Sequence, residues 1–278
     1  MPRGLRLRVF AGPNGSGKTT IIEEVRKAKV NGRAIDFGLY INADDIARSL
    51  KTSVDLKQYE IQATEEEFKA FAIRSGLLSA SFNLQTLQRS YVWNSTSIRS
   101  KRGAPSDRLA QLVAQFLYDV LLRERSKFSF ETVFSHPGKL DLMKSASEAG
   151  YKVYLYFIST EDPAINVERV KKIRVKQGGH DVPEDKIISR YARTMELLDE
   201  ALQLCYHAYL WDNSKAGAGS ELFGEMKRGK QGVQWTVDTD KVPLWFMRYV
   251  LLKHPDDPIL SKIMDDSWRS YRHRLLLG

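Results

Sequence analysis

The sequence predicts an α/β fold, a three-layer sandwich with a mostly parallel central sheet. Over the first 215 residues, short apolar stretches alternate with longer segments of helical periodicity. The stretch Val153–Ile158 is almost wholly apolar, which is typical of a strand buried on both faces of a parallel sheet. A glycine-rich turn joins the first strand to the first helix. Alternation of this kind predicts parallel strands, because parallel neighbours need a helical crossover between them.

Each element follows from local periodicity and from Gly or Pro at its ends. Strands are predicted at 5–10, 128–133, 153–158 and 208–211, and a further strand is predicted to end at residue 41. Helices are predicted at 18–29, from 44, and at 56–79, 109–125, 139–149, 163–176 and 184–204. Residues 80–106 are weakly periodic, so we expect a loop-like segment there. The predicted domains are a core, 1–215, with an insertion at about 55–105 and a lid at about 165–195, and a C-terminal extension, 216–278, made of a hairpin and helices.

Composition excludes several classes of protein. Of the 278 residues, 42% are hydrophobic and 28% charged, as in globular domains, which argues against wholesale disorder. A single cysteine, Cys205, excludes a disulfide framework and any CxxC metal site. No apolar run reaches the roughly 18 residues that span a bilayer, and no secretory signal is evident, so we expect a cytoplasmic protein without a membrane partner. The net charge of +9 favours anionic partners.

One motif has a specific chemistry. The run Gly12-Pro-Asn-Gly-Ser-Gly17-Lys18-Thr19 satisfies the Walker A pattern GxxxxGK(S/T), between a predicted strand and a predicted helix. Glycines let backbone N–H groups wrap around phosphates, and the helix N-terminus adds its dipole. Lys18 is expected to reach the β and γ phosphates of ATP, and the Thr19 hydroxyl to bind Mg²⁺. The nucleotide-binding residues predicted here are Gly12, Asn14, Gly15, Ser16, Gly17, Lys18, Thr19 and Thr20.

Polar residues also stand where the second strand stops, in Asn42-Ala-Asp44. Ligands of open α/β sheets bind at the carboxyl ends of the strands, and a kinase needs a carboxylate to accept the proton of its acceptor hydroxyl. Asp44 is therefore the candidate base, and Asn42 the candidate residue that orients the acceptor. The alternative is that one of them only caps the following helix.

The next strand leads into a second polar group. Glu131 interrupts the apolar run, and a buried carboxylate is costly unless it is paired or binds a ligand. It is a candidate for a sugar hydroxyl or for support of Mg²⁺, together with Thr132, Ser135 and His136 as substrate-binding residues. In the alternative reading, Glu131 pairs with a core arginine or with Lys18, Ser135 is an N-cap, and His136 is structural.

The segment 168–193 is rich in cations around Gly178-Gly-His180. Two arginine-bearing helices joined by a glycine turn predict a lid that closes on phosphates. Arg169 and Arg174 are the candidate phosphate contacts, Arg174 with a catalytic role, and Arg190 is the candidate on the next helix; the alternative is a solvated basic face. Asp212 and Asn213 follow the last strand, where the loop borders the nucleotide or forms a simple turn.

Together these segments resemble the zeta-toxin family of P-loop kinases, which have a P-loop NTPase fold. The resemblance rests on the phosphate loop, on Asn42–Ile46, on Phe128–Thr132 and Gly150–Tyr154, and on Gly178–Pro183 and Asp212–Ser214. It covers most of residues 5–215. It implies an ATP- and Mg²⁺-dependent phosphotransferase with an alcohol group as acceptor, the 3′-hydroxyl of the sugar in UDP-N-acetylglucosamine. It also implies that Asp44 is the base, that Glu131 holds the sugar nucleotide, and that an antitoxin protein is a possible partner.

This sequence departs from the family in ways that leave other functions open. The segments Gly178–Pro183 and Phe130–His136 resemble a broad bacterial subgroup, and members of that subgroup need not share the sugar-nucleotide substrate. One alternative is a P-loop kinase of another small molecule or of a nucleic-acid end, although no stacking motif of RNA-binding type is present. Another is an ATP-dependent switch or binding protein that transfers phosphate only to water.

Overall fold

The computed structural model describes residues 4–174, 182–215 and 217–277, with the side chains of 173–174 and 274–277 left out. The strands are β1 Arg6–Ala11, β2 Lys29–Val30, β3 Arg33–Ala34, β4 Leu39–Ile41, β5 Val54–Asp55, β6 Tyr91–Asn94, β7 Ser97–Ser100, β8 Phe128–Thr132, β9 Lys152–Ser159, β10 His207–Asp212, β11 Glu221–Gly229 and β12 Gly232–Val237. The helices are α1 Lys18–Lys27, α2 Ala43–Ser49, α3 Glu65–Arg74, α4 Leu84–Ser90, α5 Ser106–Arg123, α6 Gly138–Glu148, α7 Pro163–Arg169, α8 Glu184–Glu196, α9 Leu198–Leu204, α10 Leu244–Tyr249 and α11 Pro258–Leu277. Short 3-10 helices span Leu56–Tyr59 and Leu251–Lys253, and a π-helical turn spans Val170–Arg174.

The chain divides into two compact units. The first, Met1–Asp36 with Thr132–Gly278, contains the strand order β12-β11-β10-β9-β1. Strands β1, β9 and β10 are mutually parallel, with Phe10 opposite Tyr156 and Tyr156 opposite Tyr209, and β11 and β12 follow as an antiparallel hairpin. Apolar residues such as Val9, Leu155 and Leu210 are fully buried in these strands. The α/β class with a mostly parallel sheet and a C-terminal hairpin is therefore confirmed.

The second unit, Phe37–Glu131, contains the parallel pair β4–β8 and the long helix α5. Ten side chains of α5 are buried, as the apolar periodicity of 109–125 predicts. Phe116 of this helix meets Phe68 edge to face and lies against Phe71, both on α3. Aromatic pairs of this geometry add to the stability that their buried area provides.

Two predictions for this second unit are wrong in detail. Residues 80–106 are not loop-like, because they contain α4 and the hairpin β6–β7, which pairs with β5 in a three-stranded antiparallel sheet. The hairpin turns at Ser95, whose φ is +41°, so the polar composition marks a tight turn. The helix expected over 56–79 is a 3-10 turn followed by α3, which begins behind a capping box between Thr64 and Glu67.

No helix within 4–174, 182–215 and 217–277 is both long enough and apolar enough to cross a bilayer.

Candidate functional site

A strand, a glycine loop and a helix form the centre of the first unit. Strand β1 is buried from Leu7 onward, the loop spans 12–17, and α1 begins at Lys18. Gly17 stands at the N-cap with φ +98°, and no side chain caps the helix. The first amide groups of a ten-residue helix therefore face the loop without a side-chain acceptor, which is the geometry that attracts phosphate.

The loop glycines are required by their neighbours. A Cβ on Gly12 would lie 2.0 Å from the carbonyl oxygen of Ile158. A Cβ on Gly15 would lie 2.8 Å from the carbonyl oxygen of Asn166, at φ +75°. Each position combines a left-handed or nearly left-handed backbone with a close approach of another segment, so side chains are excluded for two physical reasons.

Lys18 folds back over this loop. Its Nζ donates to the carbonyl oxygens of Gly12 at 2.9 Å and Pro13 at 3.0 Å, and only 7% of the residue is exposed. The ammonium group is thus held against the loop, and its contact with the phosphates of ATP stays a prediction. Thr19 and Thr20 are exposed at the start of α1, so the Thr19 hydroxyl is accessible to a metal ion.

Two asparagines tether the loop from outside. Asn166 Nδ2 donates to the carbonyl oxygen of Asn14 at 2.7 Å, and Asn213 Nδ2 donates to that of Ser16 at 2.8 Å. Asn166 is fully buried and also contacts the Thr160 hydroxyl. Sequence reasoning missed Asn166; the signal available was a polar residue on the apolar side of a short helix. The tethers satisfy two loop carbonyls and hold the loop backbone in place.

Two buried polar atoms of the loop have no hydrogen-bond partner among the described residues. They are Asn14 Oδ1 and Ser16 Oγ, whose residues are 4% and 0% exposed. Buried polar atoms are normally satisfied, so atoms of this kind indicate a site for water or for a bound ligand. Both lie in the loop that the sequence predicts to hold phosphates.

The lid arginines have different surroundings. Arg169 Nη1 donates to the carbonyl oxygen of Asn213 at 2.7 Å, so this residue braces the loop after β10. The side chain of Arg174 and the turn Gly178–His180 lie outside the described residues. Arg190 is half-buried on α8, and its carbonyl oxygen lies 2.7 Å from the Thr194 hydroxyl, which shares its proton with a second carbonyl. The lid therefore stays a prediction.

The segment after β8 is tied to α8. Thr194 Oγ1 donates to the carbonyl oxygen of Val133 at 2.7 Å, and Arg193 Nε to that of Ser135 at 3.3 Å. The Thr132 hydroxyl accepts the amide of Phe134, which has φ +62°. These contacts hold the backbone in which the predicted substrate residues stand.

One alternative for this segment is corrected. Helix α6 begins at Gly138 with Pro137 as its N-cap and no side-chain cap, so Ser135 does not cap the helix and Pro137 is not its first residue. His136 Nδ1 instead accepts the Gly138 amide at 3.1 Å.

Sequence reasoning also missed Lys139. Its side chain is partly exposed at the surface. The surrounding protein nevertheless desolvates its ammonium group, which lowers the pKa of Lys139 to about 7.

The second unit brings together a different set of polar side chains. Asn42 Nδ2 donates to Glu131 Oε2 at 3.0 Å, and Tyr40 Oη donates to the same oxygen at 3.3 Å. Asn42 Oδ1 accepts the Asp44 amide at 2.8 Å, so Asn42 is the N-cap of α2. Asp44 is exposed in the first turn of that helix. Tyr40 is a further residue that sequence reasoning missed, although its place one residue before Ile41 puts it on the same strand.

No protein-family model matches this sequence. An uncharacterized protein of Haemophilus influenzae is 32% identical over 115 residues, which cover 40% of this chain and 80% of that protein.

Solved structures with a similar arrangement include the complex of AvrRxo1-ORF1 and ORF2 with ATP, at 14% identity and a TM-score of 0.48. That match covers 85% of this chain and 61% of the other, so this chain spans about three fifths of its length. The same complex with sulphate ions has a TM-score of 0.49 at 14% identity, over 97% of this chain and 77% of the other. The PezAT chromosomal toxin–antitoxin system of Streptococcus pneumoniae has a TM-score of 0.40 at 13% identity, over 77% of this chain and 69% of the other.

Proposed function

The chain belongs to the same family as the Haemophilus influenzae protein that it matches, and we propose that it is an ATP- and Mg²⁺-dependent kinase of the zeta-toxin type. The observation that carries the proposal is the phosphate loop, with Lys18 held against it and with Asn166 and Asn213 fastened to its carbonyls. A loop braced in this way offers preorganised amides, and preorganisation is the main contribution that a protein makes to phosphoryl transfer.

The residues of the loop fit a nucleoside triphosphate with Mg²⁺. The uncapped N-terminus of α1 and the buried Ser16 hydroxyl offer donors for phosphate oxygens. The Lys18 ammonium adds a positive charge, and the exposed Thr19 hydroxyl is the ligand for the metal ion. When bound, ATP supplies the transferable γ-phosphoryl group, and Mg²⁺ offsets the charge of the phosphates. Asp212 at the end of β10 and Asn213 after it would then shape the nucleotide site.

On the acceptor side, the assignment rests on the residue pattern and the family resemblance. Asp44 is proposed as the base that receives the proton of the acceptor hydroxyl, because it is an exposed carboxylate behind a strand end. Glu131 is proposed to bind the acceptor, with Asn42 and Tyr40 holding its Oε2 in one orientation. The lid arginines, Arg174 above all, are proposed to stabilise the charge on the transferring group.

The proposed acceptor is the sugar hydroxyl of a nucleotide sugar, UDP-N-acetylglucosamine in the first instance. This substrate comes from the resemblance, as does the possible role as the toxin of a toxin–antitoxin pair with an antitoxin protein as partner. A carboxylate that is held by an amide and a phenol suits recognition of a polyhydroxylated acceptor, because its lone pairs accept from hydroxyl groups.

The test is transfer from γ-labelled ATP with Mg²⁺ to UDP-N-acetylglucosamine. Lys18→Ala and Asp44→Ala are each expected to reduce transfer about 100-fold or more. Matched controls are Lys27→Ala, at the exposed end of the same helix as Lys18, and Asp45→Ala, beside Asp44. If the protein binds ATP but transfers the label to a different acceptor, that acceptor takes the place of UDP-N-acetylglucosamine as the proposed substrate. Full transfer by Asp44→Ala would refute the assigned base.

A switch function is distinguished in the same assay. In that case label would appear only as inorganic phosphate, independently of any acceptor, and Asp44→Ala would leave the release unchanged. The arrangement around Glu131 favours a bound acceptor, because two donors hold this carboxylate in place.

A further inference from the structure

A buried tryptophan of the C-terminal segment is hydrogen-bonded to the last residue of β10. Trp245, on α10, is 1% exposed and lies against Phe157 and Phe223, with ring centroids 5.8 and 5.5 Å away. Its Nε1 donates to Asp212 Oδ1 at 2.9 Å. A buried indole needs an acceptor for its N–H, and a carboxylate makes that bond a strong one.

Asp212 uses the same oxygen to close a turn. The Ser214 hydroxyl donates to Asp212 Oδ1 at 2.7 Å, and the Ser214 amide donates to Oδ2 at 3.2 Å. The Ser214 hydroxyl also accepts the amide of Glu161 at 2.7 Å. The turn 212–214 is therefore closed by its own side chains and joined to the segment that follows β9.

Asn213 stands in the middle of this turn. Its backbone amide donates to the Ser159 carbonyl at 2.8 Å, and its carbonyl accepts from Arg169 at 2.7 Å. Its side-chain amide donates to the Ser16 carbonyl at 2.8 Å. The direction of that side chain, and with it the hold on the phosphate loop, depends on the geometry of the turn.

We propose that Trp245 is a positioning residue of the nucleotide site, acting through Asp212 and Asn213 on the phosphate loop. The C-terminal extension would then be a necessary part of the donor site, although it contributes no residue to the Walker A motif. The inference rests on the proposed nucleotide-binding function and deepens it. Loss of the indole N–H leaves the Asp212 carboxylate held, among the described residues, only by the two bonds from Ser214. The turn then gains alternative conformations, and Asn213 holds the Ser16 carbonyl for a smaller fraction of the time.

The test uses the full chain with Trp245→Phe, which keeps an aromatic ring and removes the N–H. Trp235→Phe is the matched control, because Trp235 is also in the extension and packs on Phe246 at 6.0 Å. We expect the Kd for ATP with Mg²⁺ to rise about tenfold in Trp245→Phe, as loss of one charge-assisted hydrogen bond predicts, and to stay unchanged in Trp235→Phe.

Two further readouts separate positioning from general stability. Hydrogen exchange of the peptide 12–20 in the ligand-free protein is expected to become faster in Trp245→Phe alone. In the double variant Trp245→Phe with Asp212→Asn, the Kd for ATP is expected to rise by less than the product of the two single rises, because both substitutions act through one contact.

The outcomes are distinct. A lower melting temperature for Trp245→Phe, with unchanged ATP affinity and unchanged exchange of the loop, would overturn the proposal and leave Trp245 as a packing residue. A wild-type protein that binds no ATP would refute the proposed function. Hydrogen exchange of the peptide 12–20 would still test whether Trp245 acts on the loop. Faster exchange in Trp245→Phe alone would support that action, and unchanged exchange would overturn it.

Discussion

The Nδ2 atom of Asn213 lies 2.8 Å from the carbonyl oxygen of Ser16, in the space that a side chain on Gly17 would occupy. A Cβ at Gly17 would stand 2.4 Å from the same nitrogen, and the backbone there has φ +98°. The glycine and the asparagine, almost 200 positions apart in the chain, therefore depend on each other.

Gly17→Ala is expected to abolish measurable ATP binding and to lower the free energy of unfolding by about 1–3 kcal/mol, because it adds both strain and a clash. Gly219→Ala is the control, since Gly219 has φ +77° with nothing within 4 Å of the added Cβ. Calorimetric titration and thermal melting measure the two effects. Equal losses in the two variants would show that strain alone matters and that Asn213 does not.

Glu131→Gln removes the charge and keeps the shape. The donors of Tyr40 and Asn42 can still meet an amide oxygen, so the melting temperature is expected to change little. Transfer to the acceptor is expected to fall about tenfold or more, with ATP affinity unchanged, because a carboxylate accepts more strongly than an amide. Glu66→Gln, at an exposed site of α3, is the control. Unchanged transfer would leave Glu131 with a structural role only.

Lys139 is expected to react with amine reagents at lower pH than ordinary lysines. Its pKa is lowered to about 7, so the folded protein carries the neutral amine above that pH. Because the unfolded chain still binds the proton up to about 10.5, this group makes folding more favourable as pH rises from 7 to 10.5. Mass spectrometry after brief acetylation at pH 6–9 should show early labelling of Lys139. Lys241, whose pKa is raised by Asp238 and Glu221, should label later; the reverse order would contradict the prediction.

Cys205 is expected to resist thiol reagents in the folded protein. The residue is 1% exposed, its Sγ donates to the Ala201 carbonyl at 3.0 Å, and burial raises its pKa. Thiolates are the reactive species, so modification should require unfolding. Absorbance assays with a disulfide reagent should show no reaction in buffer and one thiol per chain in denaturant. Rapid reaction in buffer would show that α9 opens locally.

Several elements could be predicted because their signals are local. The periodicity of 109–125 places α5, and the apolar run at 153–158 places β9, since burial on both faces demands such sequences. The insertion was harder to predict, because β6 and β7 are only four residues long and the segment around them is rich in Ser, Arg, Asn and Gln. The helix predicted over 139–149 begins one residue earlier, at Gly138, and its N-terminus has no side-chain cap that could mark the start in the sequence.

By itself the sequence determined the glycine-rich loop between β1 and α1 and the α/β class, because both depend on residues close together in the chain. Only the tertiary structure decided what holds that loop. Asn166, Asn213 and Trp245 belong to segments far from the motif, and their hydrogen bonds exist only when β1, β9 and β10 lie side by side. A hydrogen bond requires two groups within about 3 Å of each other, and spacing along a chain does not encode such a distance.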